Sequence, residues 1–140
     1  MNASPADRAA GKPDITISET DHRRLTRLAE GLYENAPQLA ETLLTELERA
    51  RTCPAGAVPA DTVQMGSSVE YGTDEGQRRR VTLVYPQEAE IESGKVSILT
   101  PIGAALIGLS PGQSIDWTAR DGRTHRLTVL SVENAAAGPA

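Results

Sequence analysis

Phenylalanine is absent from this chain of 140 residues, which holds only one tryptophan, three tyrosines and one cysteine. Without Phe the core must be assembled from Leu, Val, Ile and Ala, and single-stranded bases find almost nothing aromatic to stack on. Cys53 has no second cysteine to pair with, so an internal disulfide is excluded. Together with His22 and His125 it supplies no zinc-type cluster. No run approaches the ~18 consecutive apolar residues of a membrane span, and Met1 to Pro13 lacks the apolar stretch of a signal peptide. A cytoplasmic protein without a membrane partner is expected. An excess of cations is missing too: 14 Lys+Arg stand against 19 Asp+Glu, a net charge of -5. Direct binding to duplex nucleic acid is therefore not expected.

The groups that carry hydrolytic or nucleotide chemistry are equally sparse. No G-x-S-x-G elbow occurs, and Gly103, Gly108 and Gly112 have neither G-x-G-x-x-G nor G-K-[ST] spacing. No catalytic residue, cofactor or metal site is expected. His22 and His125 read as solvated surface residues, and the run Arg78, Arg79, Arg80 as a solvated strand edge.

What is present divides at a linker. Residues 1–13 and 134–140 are polar, rich in small residues and without a period, which predicts disorder at both ends. Within residues 14–51, Leu25, Leu28, Ala29 and Leu32, then Leu39, Ala40, Leu43, Leu44 and Leu47, follow a helical rhythm. Ser18 with Asp21 resembles a capping box, Gly31 weakens the first helix near its end, and Asn35-Ala36-Pro37 offers an N-cap candidate and a first-turn proline. The result is a short antiparallel hairpin of coiled-coil type, with arms of about 15 residues or roughly 23 Å.

Residues 52–65 read as a linker, since Pro54, Gly56 and Pro59 break both periodicities. Over residues 66–133 the period changes to that of strands: 67–71, 79–85, 95–99, 114–119 and 126–132. Asp121-Gly122 signals a two-residue hairpin, and Pro101 opens a short apolar helix that Gly108 ends. The fold class is α+β, with two separate modules.

The hairpin's charges are sorted along its length. Arg23, Arg24, Arg27, Arg49 and Arg51 fall at the base, whereas the tip carries Glu30, Glu34, Asn35, Gln38 and Glu41. Glu41 early and Arg49 late in the second helix suit the macrodipole, but the first helix has the opposite order. An acidic tip with a function of its own explains what the dipole does not.

A helical hairpin followed by a β-rich unit containing VSILTPIGAALIGLSPGQSI resembles the Gre-factor superfamily of bacterial RNA polymerase regulators. Within it, the chain is most similar to the regulators of nucleoside diphosphate kinase. The segments CPAGAVPADTVQMGSSV, TLVYP, and Val96 to Ile115 with Trp117 carry the likeness, which spans about residues 15–133. The resemblance implies an FKBP-like C-terminal fold, docking at the rim of the polymerase secondary channel, and a hairpin tip aimed into that channel. Cleavage-stimulating Gre factors carry an Asp and, three residues later, Glu-Asn-Ala at the tip. Glu34-Asn35-Ala36 matches, but Gly31 takes the Asp position. Their Asp-Ser-Pro contact loop corresponds to Leu99, Thr100 and Pro101, followed here by Ile102, so the proline is kept and the acid is not. The arms are about half as long as those of cleavage factors.

The expectation is a non-enzymatic regulator that acts as a monomer, binds bacterial RNA polymerase through residues 99–102, and competes with other channel factors. One alternative is a transcript-cleavage factor working with polymerase-bound Mg2+, for which the second tip acid is missing. Another is a peptidyl-prolyl isomerase, suggested only by fold analogy and needing an aromatic-lined pocket that Trp117 cannot supply alone.

Overall fold

The computed structural model describes residues 13–119 and 121–134. Strand β1 (Thr16–Ser18) runs straight into helix α1 (Glu19–Leu32). The Ser18 hydroxyl accepts from the Asp21 amide at 3.1 Å, satisfying one of the orphan donors of the first turn, as the sequence pattern predicts. The turn at Tyr33–Ala36 is closed by the Asn35 and Ala36 amides, which donate to the Leu32 carbonyl at 3.1 and 2.7 Å. Helix α2 (Pro37–Arg49) then starts with proline in its first turn. Ala36, without a side-chain hydrogen bond, stands at the N-cap in place of the expected Asn35. The arms have 14 and 13 residues, about 20 Å each at 1.5 Å per residue.

Beyond α2 the expected linker turns out to be structured. Strand β2 (Arg51–Cys53) pairs in parallel with β1 in the register Thr16↔Arg51 to Ser18↔Cys53. Further along, the Val63 amide donates to the Leu109 carbonyl at 2.8 Å and the Gly108 amide returns a bond to Val63 at 2.9 Å. Gly108 has φ +83, and a Cβ there would lie 2.7 Å from Cβ of Ile15, so only glycine lets the chain pass this close to β1.

The remaining elements are β3 (Ser67–Thr73), β4 (Arg78–Val84), β5 (Lys95–Ser97), α3 (Pro101–Leu106), β6 (Ser114–Thr118) and β7 (Thr124–Asn134). They form a five-stranded sheet in the order β5-β4-β3-β7-β6, with only β4 and β5 parallel. The fold class is α+β, as expected. The Asp121-Gly122 turn is one residue longer than predicted: the Ala119 amide bonds the Arg123 carbonyl at 2.9 Å, with Gly122 at φ +86. Asn134 closes β7 and does not begin a tail. Its Nδ2 donates to the carbonyls of Ala60 (2.6 Å) and Thr62 (3.0 Å), and its Oδ1 accepts from Ser67. The rest of the expected disordered ends, residues 1–12 and 135–140, lies outside the described residues.

One hydrophobic cluster serves the whole fold. Ile15, Ile17, Leu25, Ala29, Leu43 and Leu47 from the hairpin region are buried together with Val63, Leu83, Leu106, Ile107, Leu109 and Ile115 from the sheet region. Two modules joined by a free linker would each close their own core. Here β1 packs against α1 while its Thr16 amide donates to the Gly108 carbonyl at 3.1 Å, and the burial is shared.

Candidate functional site

The segment Leu99–Ile102 links β5 to α3, and its shape is set by Ser97 and Thr100. The Ser97 carbonyl accepts from both the Thr100 amide (3.0 Å) and the Thr100 hydroxyl (2.8 Å). The same hydroxyl caps α3 by accepting from the Gly103 amide at 3.0 Å, and the Leu99 amide donates to the Ser97 hydroxyl at 3.0 Å. Pro101 then occupies the first turn, where its missing N–H costs nothing. All four residues are half-buried, and Leu99 and Ile102 rest against the core. The segment is a fixed corner, partly spent on internal packing.

This corner forms one side of a groove of about 370 Å³ between α2 and the α3–β6 face. Leu39, Glu41, Thr45 and Glu46 line it from α2, and Asp116 and Trp117 from β6. Sequence reasoning missed this convergence of α2 and β6 residues. Glu46 is buried among Leu43 and Leu47, and accepts from the Arg49 Nε at 2.8 Å. A glutamate inside the apolar stripe, three residues before an arginine, was the available signal.

The tip residues do not converge. Glu34, Asn35, Gln38 and Glu41 are exposed, and Glu30 lies in a second depression with Arg23 and Arg27. Glu41 accepts a hydrogen bond from the Tyr33 hydroxyl across the turn, and this contact chiefly pushes the phenol's pKa up. Gly31 contributes no side chain, and nothing lies within 4 Å of where its Cβ would be.

The base arginines are partly absorbed by packing. Arg49 pairs with Glu46 and also donates to the Pro13 carbonyl, while Arg24 lies over the Tyr85 ring at 5.7 Å. Asp21, beside them, accepts from the Met65 amide at 3.4 Å. Burial raises its pKa more than that bond and Arg24 lower it.

Neither histidine is the solvated residue expected. His22 Nε2 meets the Leu47 carbonyl at 2.9 Å, tying α1 to the end of α2, and half-buried His125 packs against Trp117 at 5.4 Å. The arginine run does lie along an open edge, since β5 pairs only with Thr82–Val84. Arg78 and Arg80 reach Glu70 at 3.9 and 4.0 Å, and Arg80 reaches Glu133 at 3.0 Å. Among the described residues no three His, Cys, Asp or Glu gather as metal ligands, and no helix is long and apolar enough to cross a membrane.

A helical hairpin on a five-stranded sheet with one short helix is the architecture of the GreA/GreB class of transcription factors. A solved structure described as a prokaryotic transcription elongation factor GreA/GreB from Nitrosomonas europaea superposes with a TM-score of 0.69. It is 35% identical, over 86% of this chain and 99% of that one. Residues 58–134 match the family described as transcription elongation factor, GreA/GreB, C-term, and residues 13–52 match Rnk N-terminus. The chain is 37% identical to the regulator of nucleoside diphosphate kinase of Escherichia coli (strain K12), over 87% of this chain and 90% of that one. It is also 35% identical to transcription elongation factor GreA of Rhodospirillum rubrum, over 76% and 72%. The chain belongs to the family of regulators of nucleoside diphosphate kinase, whose E. coli member is named as a regulator and not as a kinase.

Proposed function

We propose that this chain is a non-enzymatic transcription regulator that binds bacterial RNA polymerase at the secondary channel through Leu99–Ile102. There it excludes other channel factors without stimulating transcript cleavage. The observation that carries the reading is the Thr100 corner. Its hydrogen bonds to Ser97 and from Gly103 fix Pro101 and its neighbours in one half-exposed conformation, so little ordering cost attends docking. Apolar anchors at such a patch dominate affinity, while exposed tip charges such as Glu34 are screened by salt. No cofactor or metal enters this reading, and one copy acts alone.

The cleavage alternative needs at least two carboxylates facing one hard cation. Glu34 stands beyond the end of α1, Glu41 lies across the turn in α2, and Gly31 offers no ligand. The isomerase alternative needs an aromatic-lined pocket, and the groove beside Leu99–Pro101 has Trp117 as its only aromatic side chain.

Titration of purified polymerase core with Pro101→Ala, Ile102→Asp and Glu34→Ala variants tests the docking surface, with circular dichroism confirming that each is folded. The loop variants are expected to lose about tenfold or more in affinity, as anchor residues do, and Glu34→Ala to lose little. Folded loop variants that bind normally would show that the docking surface lies elsewhere.

A further inference from the structure

The groove between α2 and the α3–β6 face has a chemistry of its own. Ile98, Ala104, Ala105 and Ile115 give it a buried apolar floor, and Leu39 and Trp117 add apolar walls. Its lining includes three carboxylates, Glu41, Glu46 and Asp116, and no Lys, Arg or His. Two of these meet cations outside the lining: Glu46 with Arg49 at 2.8 Å, and Asp116 with Arg126 at 3.0 Å. Glu41 differs, because its hydrogen bond comes from the neutral hydroxyl of Tyr33, and among the described residues no cation pairs with it.

A volume of about 370 Å³ sits near the lower end of the ~300–1,000 Å³ of ligand pockets, enough for one or two side chains but not for a helix. A long cationic side chain meets every feature at once. Its aliphatic stem would lie along apolar walls while its head reaches a carboxylate, and Trp117 in the lining is the side-chain type that best attracts a cation. An acidic side chain would be repelled by the same lining.

We propose that this groove receives one arginine or lysine side chain, flanked by aliphatic residues, from a protein segment of the docking partner, with Glu41 as its counter-charge. The proposal rests on the reading of Leu99–Ile102 as the partner-facing corner, since Leu99, Thr100 and Pro101 are shared by corner and groove. Through Glu41, α2 thereby supplies the wall that selects charge.

Trp117 is the only tryptophan in the chain, so its emission reports on the groove directly. The full chain is titrated with acetyl-Ala-Leu-Arg-Leu-Ala-amide, with the same peptide carrying Glu or norleucine for Arg, and with N-acetyl-arginine amide. Two variants accompany it. Glu41→Gln keeps an acceptor for Tyr33 while removing the charge, and Thr45→Phe fills the groove from an exposed position of α2.

The Arg peptide is expected to shift the emission saturably and the Glu peptide not to. Glu41→Gln should weaken the Arg peptide about tenfold, as loss of a charge-assisted bond does, and Thr45→Phe should abolish the shift. No saturable shift with the Arg peptide, equal binding of the Glu or norleucine peptide, or indifference to Glu41→Gln would overturn the proposal. Equal affinity for N-acetyl-arginine amide would overturn the protein-segment part and assign the groove to a free small cation.

The same variants in the polymerase titration separate the two claims. If Pro101→Ala weakens binding while Glu41→Gln and Thr45→Phe do not, the groove proposal fails and the docking reading stands. If polymerase does not bind at all but the Arg peptide does, the docking reading fails and the groove's selectivity stands.

Discussion

Gly103 stands where the Cβ of any other residue would lie 2.3 Å from the carbonyl oxygen of Ser97. That carbonyl is the acceptor for both Thr100 donors, and backbone cannot swing aside as a side-chain end can. Gly103→Ala is therefore expected to displace the Leu99–Ile102 corner and to destabilise the fold by about 1–3 kcal/mol, the usual range for overpacking. The matched control is Gly31→Ala, where open space surrounds the new methyl and helix propensity favours alanine by about 1 kcal/mol. Urea unfolding of both variants should move the midpoints in opposite directions; a neutral Gly103→Ala would show that the corner is pliable.

Shared burial between hairpin and sheet gives a second expectation. Residues 54–61 are largely exposed, so a protease can cut there, but the fragments should stay together because Ile15, Ile17 and Leu47 are buried in one cluster with Leu106, Ile107 and Leu109. Gel filtration of the nicked protein should show both fragments in one peak. Leu47→Ala should lower the stability of the whole chain in a single transition by about 2–5 kcal/mol. Separate elution of a folded fragment of residues 62–134, or two unfolding transitions, would restore the picture of independent modules.

Local signals in the sequence are legible wherever a single residue decides a local geometry. Ser18 caps α1 and Pro101 opens α3, and each does so through its own hydroxyl or ring without help from afar. Strands β3, β4, β6 and β7 are legible from their period because one face of each meets the core. The parallel β1–β2 pair is not, since three-residue strands carry no period and their partner lies 35 residues away. For the same reason the groove escaped notice. Its carboxylates come from α2 and β6, and only the shared core brings Glu46 and Asp116 to one cleft. His22 looked like a surface residue because nothing near it in sequence announces the Leu47 carbonyl.

Asp21 supplies a pH dependence. Its pKa is raised from the ordinary value of 3.8, with burial outweighing the Met65 amide and Arg24. A raised folded-state pKa means that folding favours the protonated acid. The contribution to stability is therefore full below the unfolded value and is lost as pH rises through the folded value. Asp21→Asn, which mimics the protonated group, should be more stable than the parent at pH 7, with the difference closing below about pH 3.8. Denaturant midpoints measured from pH 3 to pH 7 check this, and a parent that is the more stable form at pH 7 would show that the Met65 and Arg24 contacts outweigh burial.

The central claim is binding without cleavage, and a backtracked elongation complex with labelled RNA tests it most directly. Arms of 14 and 13 residues reach only about 20 Å, and the tip does not assemble two carboxylates on one cation. Added alone, this chain should leave the cleavage rate at background, and so should Gly31→Asp, because restoring the acid does not lengthen the arm. Added with a long Gre factor, it should slow that factor's cleavage in proportion to its concentration, and Pro101→Ala should relieve the inhibition. Rapid cleavage by this chain alone, abolished by Glu34→Gln, would contradict the account.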